Sequence, residues 1–265
     1  MKNNMSKKHL IIPDVQIRPG DDLRFLTAIG NFIIDKKPDV IIQIGDFTDM
    51  ASLSSYDMGK KAFEGRRYKK DIEISKKAMQ TLLAPLKSYN KRMSRLHRTR
   101  YKPQLVLTLG NHEDRITRAV ESDAKLEDTI GVKDLEYEKF GWQVIPFLQP
   151  IVIDGISYCH FFPRSPSGKV TQTKRGAPSA VAQANREKMS CTSGHLQGLD
   201  VAMVAGGGGR IIRSIIAGSC YEHDEEYLSP QGNMHFRGIL VKHRVKNGNY
   251  DLMEVSLDYL KENYL

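Results

Sequence analysis

Val40-Ile41-Ile42-Gln43-Ile44-Gly45-Asp46-Phe47-Thr48-Asp49 decides the fold. A β-branched apolar run closed by Gly-Asp reads as a buried strand that delivers two carboxylates to the loop beyond its C-terminal end. The same arrangement occurs on either side of it. Upstream, Leu10-Ile11-Ile12 leads into Pro13-Asp14-Val15-Gln16; downstream, Leu105-Val106-Leu107-Thr108-Leu109 leads into Gly110-Asn111-His112-Glu113. Further on stand an isolated His160 in Tyr158-Cys159-His160-Phe161 and the stretch Gly194-His195-Leu196-Gln197. An open α/β sheet binds its ligand at the carboxyl ends of its strands, so carboxylates, an amide and imidazoles are expected to meet there. A metal site suited to phosphate chemistry is the expectation.

Each motif has an ordinary explanation when taken alone. Asp46 and Asp49 could be turn and cap residues, His160 a satisfied core histidine, and Gly194-His195 a turn. The ordered set, most of it beside strand-like runs, is what those explanations leave unaccounted for.

The chain has 265 residues, enough for one large core. No apolar stretch approaches the roughly 20 residues of a membrane span. The polar, basic start Met1-Lys2-Asn3-Asn4-Met5-Ser6-Lys7-Lys8 is unlike a secretory signal. Cys159, Cys191 and Cys220 are widely spaced and form no C-x-x-C pair, which argues against a disulfide framework or structural zinc. A reducing cytoplasm is the expected location. The net charge of +9 favours a polyanionic partner. Fifteen of the cations fall between Gly59 and Lys102, against Glu64, Asp71 and Glu73. The plain reading of that segment is a solvated helix face; its position between two motif-bearing segments is the reason to expect more.

Between the motifs, Asp21 or Asp22 is placed to cap a helix through Leu23, Leu26, Ile29, Phe32 and Ile33 that stops near Lys37-Pro38. An irregular loop follows Asp49, then a helix with Ile72, Met79, Leu82, Leu83 and Leu86 on one face, kinked or ended by Pro85. Ser88 to Lys102 reads as a basic, partly helical connector, and a further helix starts at Glu113. The second half is strand-rich, with a single convincing helix from Ser179 to Met189. Gly206-Gly207-Gly208-Gly209 reads as a tight hairpin or loop, because no helix opens after it. The expected fold is α/β: two stacked mixed sheets flanked by helices, an αββα sandwich. A single domain over residues 1–265 is expected, with a basic, partly helical insertion at about 55–103.

The ordered set Asp14-x-Gln16, Gly45-Asp46-x-x-Asp49, Gly110-Asn111-His112-Glu113, His160, Gly194-His195-x-Gln197 resembles the calcineurin-like metallophosphoesterase superfamily over roughly residues 9 to 200. Its pattern there is D-x-H, G-D-x-x-D, G-N-H-D/E, a lone H and G-H-x-H. The segment Ser52 to Lys70, together with the absence of accessory domains, is also similar to stand-alone phage-encoded members. The resemblance implies two divalent cations that clamp a phosphoryl oxygen. Asp46 would bridge them, Asp14 would serve the first, and Asn111, His160 and His195 would complete the second. His112 would act on the leaving group, oriented by Asp49, while Glu113 is expected at a helix N-terminus, where its charge suits the dipole.

Gln16 and Gln197 stand where the pattern has histidines, both of them ligands of the first metal. An amide oxygen is a harder and weaker donor than imidazole, so the first site is expected to be weak and filled by Mn²⁺ or Mg²⁺ in preference to Zn²⁺. For substrate, Arg66, Arg67 and Arg115 are candidate phosphate contacts, as are Arg164, Lys174 and Arg175 in the loop after His160. The second motif lacks the Asp-Arg-Gly ending of the protein-phosphatase branch. A phosphodiesterase or nuclease acting on DNA or RNA is the leading expectation. The alternatives are a phosphoesterase for a small substrate, such as a cyclic nucleotide, and a nucleic-acid-binding protein with a weakened site.

Overall fold

Period-two alternation in the first strands divides their side chains between two cores. In β1 (Lys7–Ile12), Leu10 and Ile12 face a helical layer while Ile11 points the other way; in β2 (Val40–Gln43), Ile41 and Ile42 divide likewise, as do Leu107 and Val106 in β3 (Gln104–Thr108). Strands buried on both faces need cover on both. The chain supplies helices on one side and a second sheet on the other, as the two-sheet expectation required. The computed structural model describes residues 6–55, 59–162, 179–224 and 231–265.

The first sheet has the order β11-β10-β1-β2-β3-β4, where β4 is Gln143–Ile145, β10 is Gly238–Lys246 and β11 is Asn249–Ser256. β1 to β4 run parallel, β10 pairs antiparallel with β1, and β11 pairs antiparallel with β10. The second sheet has the order β5-β6-β7-β9-β8: Ile151–Ile153, Ile156–Tyr158, Cys191–Ser193, Ile211–Ala217 and Leu199–Ala205. Its three central strands are parallel and its two edges antiparallel. Ile11, Ile42, Ile44, Val106, Tyr158, Ile215 and Leu240 fill the space between the sheets. Each such side chain contributes about 2 kcal/mol through burial.

On the outer face of the first sheet lie α1 (Arg24–Lys36), α2 (Tyr68–Arg95) and α5 (Leu257–Tyr264). α3 (Asp114–Ser122) follows the third motif, and α4 (Ala180–Glu187) covers the second sheet. The N-cap of α1 is Leu23, not Asp21 or Asp22, although Asp22 just before it accepts the backbone N–H of Arg24 at 2.9 Å; Lys37 closes the helix in the left-handed conformation. Among the described residues no helix is long and apolar enough to cross a membrane.

α2 departs from expectation. It runs through Pro85 to Arg95 where an end or kink at the proline is expected, and it takes in the first part of the Ser88 to Lys102 connector, which is partly helical. Packing explains why: α1 and α2 meet at Gly30, where a Cβ would stand 2.5 Å from the Leu82 carbonyl oxygen and 2.8 Å from Pro85 Cγ. That contact seats the proline ring against α1 and holds the helix across the lost N–H. Two short elements escaped the sequence pattern. β7 is only three residues long, and α5 begins directly from the last strand with Ser256 as its cap.

Candidate metal centre

The first two motifs are zipped together by backbone. The N–H groups of Val15 and Gln16 both donate to the Asp46 carbonyl, at 3.0 and 2.8 Å, Ile17 N–H donates to Phe47, and Asp49 N–H returns to Ile17. This pairing extends β1 and β2 past their regular ends and brings Asp14 and Asp46 into one buried cleft. Gln16, Asp46 and His195 all adopt left-handed backbone conformations, with φ of 45°, 51° and 69°. Each costs roughly 1–2 kcal/mol for a non-glycine residue. Strain of this kind is held where surrounding contacts over-determine the backbone, and functional sites are where it concentrates.

One residue supplies much of that over-determination. The fully buried Glu113 carboxylate accepts backbone N–H groups from Phe47 at 2.8 Å, Gly110 at 2.9 Å, Asp46 at 3.0 Å and Thr48 at 3.2 Å, and a hydroxyl from Tyr137 at 3.3 Å. Glu113 stands at the N-cap of α3, the helix end expected for it, and from there its carboxylate also holds the Asp46 loop. Gly110 completes the join, since a Cβ there would lie 2.0 Å from Asp46 Oδ1.

Around Asp46 the donors converge. Asp46 Oδ2 is 3.3 Å from His160 Nε2, and Asn111 Oδ1 is 3.0 Å from the same nitrogen and 2.7 Å from His195 Nδ1. Asp46, His160 and His195 each offer a ligand atom within 4.8 Å of the others. His160 Nδ1 lies 2.8 Å from the Ile44 carbonyl and therefore carries a hydrogen that it donates, which aims Nε2 at Asp46 and Asn111. A carboxylate oxygen, an amide oxygen and two imidazoles make a mixed N/O set suited to a divalent transition metal.

The electrostatics fit the same purpose. Burial disfavours charge on His160, yet Asp46, then Asp14 and Glu113, raise its pKa to about 10. A field that holds a proton so firmly also holds a cation, because the two compete for one lone pair. Burial and the His160 charge depress His195 to about 4. Burial pushes the Asp14 carboxyl up to about 8, against the pull of His160 and with the help of Asp46. Asp46 itself is held below the usual carboxylate range: burial acts upward, and the charges of His112 and His160 more than reverse it.

His112 stands beside this cluster. Its Nδ1 donates to Asp49, 2.8 Å from Oδ1 and 2.9 Å from the backbone oxygen, while Nε2 faces the centre 3.7 Å from Asp46 Oδ2. With 14% of its side chain exposed, it is reachable from solvent. Asp49 is gripped by two guanidinium groups, Arg18 Nε at 2.6 Å from Oδ2 and Arg115 Nη1 at 3.0 Å from Oδ1. Burial acts to raise its pKa, but His112, Arg18 and Arg115 together hold it well below the carboxylate range. Arg115 Nη2 is also 3.4 Å from His112 Nε2, which puts a fixed positive charge at the edge of the imidazole that faces the cluster.

The structure thus brings together Asp14, Asp46, Asp49, Asn111, His112, His160, His195 and Arg115. Asp14 is tied in through its carboxylate, which accepts the His195 backbone N–H at 3.1 and 3.2 Å. Gln16, two residues beyond Asp14, is buried, whereas Gln197 engages its carbonyl oxygen with the Tyr221 hydroxyl. Arg66 reaches back to the Ala51 carbonyl at 3.2 Å; Arg67 is exposed. Arg164, Lys174 and Arg175 lie outside the described residues. Sequence reasoning missed Arg18, Tyr221 and the buried role of Glu113. Arg18 had no local signal, because its partner lies 31 residues away.

Comparison with known proteins adds relatives. The chain is 28% identical over 196 residues to the "Gene 54 protein" of Mycobacterium phage D29 and, equally, to that of Mycobacterium phage L5; the match covers 72% of this chain and 69% of each relative. A solved structure aligns over 95% of the chain and all of its own, at 14% identity and a TM-score of 0.37, too low to carry an argument. No family model matches.

Proposed function

We propose that this chain is a metal-dependent phosphoesterase of the calcineurin-like metallophosphoesterase kind, hydrolysing phosphodiester bonds of nucleic acid. The observation that carries the reading is the convergence of Asp46, Asn111, His160 and His195 on one point, with His112 oriented by Asp49 beside it. Asp46, Asn111, His160 and His195 would hold one cation, and Asp14, Asp46, Gln16 and Gln197 a second, weaker one, with Mn²⁺ or Mg²⁺ best suited to the oxygen-rich set. Bound divalent cations supply Lewis acidity toward the phosphoryl group. The protein's own part is to fix geometry and move a proton. Asp49 sets the His112 tautomer, so that Nε2 faces the leaving oxygen and delivers a proton to it. Arg115, held rigid by Asp49, balances charge on the phosphoryl group.

The net charge of +9 supports a polyanionic substrate. The phage origin of the relatives supports a phage-encoded protein working in the host cytoplasm. A second reading, hydrolysis of a small phosphoester, is favoured by Arg18 and Arg115, which concentrate two cations on Asp49, the partner of His112.

The test is hydrolysis of bis-p-nitrophenyl phosphate and of a labelled oligonucleotide with Mn²⁺, Mg²⁺ and Zn²⁺ in turn, beside His112→Ala and Asp46→Asn. Metal-dependent cleavage of both substrates, lost in both variants, is expected. Turnover of the small diester alone moves the assignment to the second reading. No turnover with any metal, despite oligonucleotide binding, leaves a nucleic-acid-binding protein.

A further inference from the structure

The basic segment that follows the second motif does not stay near the metal centre. Its start does: Asp71 receives the Ser52 backbone N–H at 2.9 Å, close behind Asp49. From there α2 runs away from the strand ends that carry the site. The 21 residues from Asp71 to Arg92 advance about 30 Å along the helix. Near its far end, Lys37 Nζ reaches Tyr89 at 2.9 Å and the Tyr101 hydroxyl donates to the Pro38 carbonyl. Pro38 precedes β2, so these contacts mark the opposite end of the sheet from Asp46.

Past this level the chain makes a short excursion and returns. The Asn90 side chain closes its neck, accepting Tyr101 N–H at 2.9 Å and donating to the Tyr101 carbonyl at 2.8 Å. The last helical turns and a bend stabilised by Arg98 N–H to the Met93 carbonyl at 2.9 Å make up the loop between. That loop carries Lys91, Arg92, Arg95, Arg98 and Arg100, all exposed, with Lys87 and Lys102 flanking it. No Asp or Glu occurs between Glu73 and Glu113, and none of the five makes an ion pair among the described residues. Hollows of about 370 Å³, lined in part by Lys87, Lys91 and Arg100, and about 600 Å³, lined in part by Arg98, Arg100 and Lys102, flank it.

Seven like charges held in one place repel each other, and folding alone gives no return for keeping them unpaired. An anionic partner does. Four of the five loop cations are arginines, whose planar forks match phosphate bidentately. Ser94 and Thr99 add hydroxyl donors. Leu96 is the one exposed large apolar side chain in the loop, too little for insertion into a lipid surface.

We propose that the 91–100 excursion is a non-catalytic anchor for a nucleic-acid phosphodiester backbone, at the opposite end of the sheet from the metal centre. The proposal rests on the nucleic-acid reading of the partner and names a second place where that partner is held. A duplex engaging both ends spans about 30 Å, or roughly nine base pairs at 3.4 Å each. Binding at the anchor carries no sequence preference, because backbone contacts read charge and not bases.

The experiment measures fluorescence anisotropy of labelled DNA and RNA duplexes, about 30 base pairs long, against the full chain over a range of salt. The comparison is Arg92→Gln/Arg95→Gln/Arg98→Gln/Arg100→Gln, with the matching four Arg→Lys changes as the charge-conserving control. Bis-p-nitrophenyl phosphate hydrolysis is followed in parallel. The Gln variant is expected to bind at least tenfold more weakly, with the slope of log K against log salt reduced by about three to four. The Lys variant should keep that slope, and small-diester hydrolysis should be unchanged in both. The DNA and RNA arms separate the two sources of backbone. Equal binding by wild type and Gln variant overturns the anchor and leaves the hydrolysis result, and the phosphoesterase reading, where they were. Binding lost in the Gln variant without hydrolysis in any protein keeps the anchor and sinks the phosphoesterase instead. Should the fourfold Gln variant fail to fold, Arg92→Gln/Arg95→Gln carries the test, with about half the change in slope; an unchanged slope overturns the proposal.

Discussion

Glu113 Oε2 accepts the backbone N–H of Asp46 at 3.0 Å and that of Gly110 at 2.9 Å, so a single carboxylate oxygen joins the second and third motifs. Asp46, the candidate ligand at the centre of the site, is thus positioned by a residue outside the converging donors.

Glu113→Gln is expected to loosen that joint. If the amide nitrogen replaces Oε2, it faces two N–H groups that have no other acceptor in the cleft. At about 1–3 kcal/mol for each buried donor left unpaired, the variant should lose on the order of 3 kcal/mol. Urea unfolding of the chelator-treated protein measures this without interference from bound metal. A midpoint equal to wild type would refute the role given to Glu113.

Asp49→Asn separates orientation from ligation. Asp49 contacts His112, Arg18 and Arg115 but is not among the converging donors. Its loss should lower turnover by about 10²- to 10⁴-fold, the usual range for a disabled general acid. Metal content by mass spectrometry should be unchanged, and a parallel fall in bound metal would show Asp49 to be structural to the centre.

Gln197→His, alone and with Gln16→His, tests the proposed weak first site. Imidazole is a stronger ligand for borderline metals than an amide oxygen. Equilibrium dialysis against Mn²⁺ or Zn²⁺ is expected to show more metal per chain in the double variant than in wild type. Gln197→His alone should do less, because the Tyr221 hydroxyl remains beside it as a competing partner. An unchanged count would mean that these positions do not face a metal.

Stability should fall on mild acidification because of a residue remote from the centre. His9 is fully buried, with Nδ1 2.8 Å from the Tyr158 hydroxyl and Nε2 3.0 Å from Asp154, and with the charges of Lys242 and Lys7 nearby. Burial lowers its pKa from 6.5 to about 4, and Asp154 only partly offsets this. The unfolded chain therefore takes up a proton that the folded one refuses. The His9 contribution is intact above pH 6.5 and is lost as pH falls toward 4, on the order of 3 kcal/mol in all. His9→Gln should flatten that part of the profile in urea midpoints measured between pH 7 and 4.5. A profile as steep as wild type would assign the dependence to other groups.

Much was legible in the sequence because it is locally encoded. The strands within Val40 to Ile44 and Leu105 to Leu109 are covered on two faces, so runs with a single polar residue each, Gln43 and Thr108, mark them, and the glycines after them mark where the backbone turns. The two-sheet architecture and the positions of Asp46, Asn111, His112, His160 and His195 follow from such local patterns in order. What the tertiary structure decided depends on partners distant in the chain. Pro85 stays helical because Gly30 admits it. Glu113 reaches back 67 residues to Asp46, so that a residue at a helix end also clamps the Asp46 loop. Arg18 meets Asp49 only once the strands lie parallel. The basic segment reads as one patch along the chain, but 28 residues of continuous helix carry its two ends to opposite ends of the sheet. A one-dimensional charge count contains no such separation, because helix rise converts sequence distance into physical distance only when the helix is known to continue.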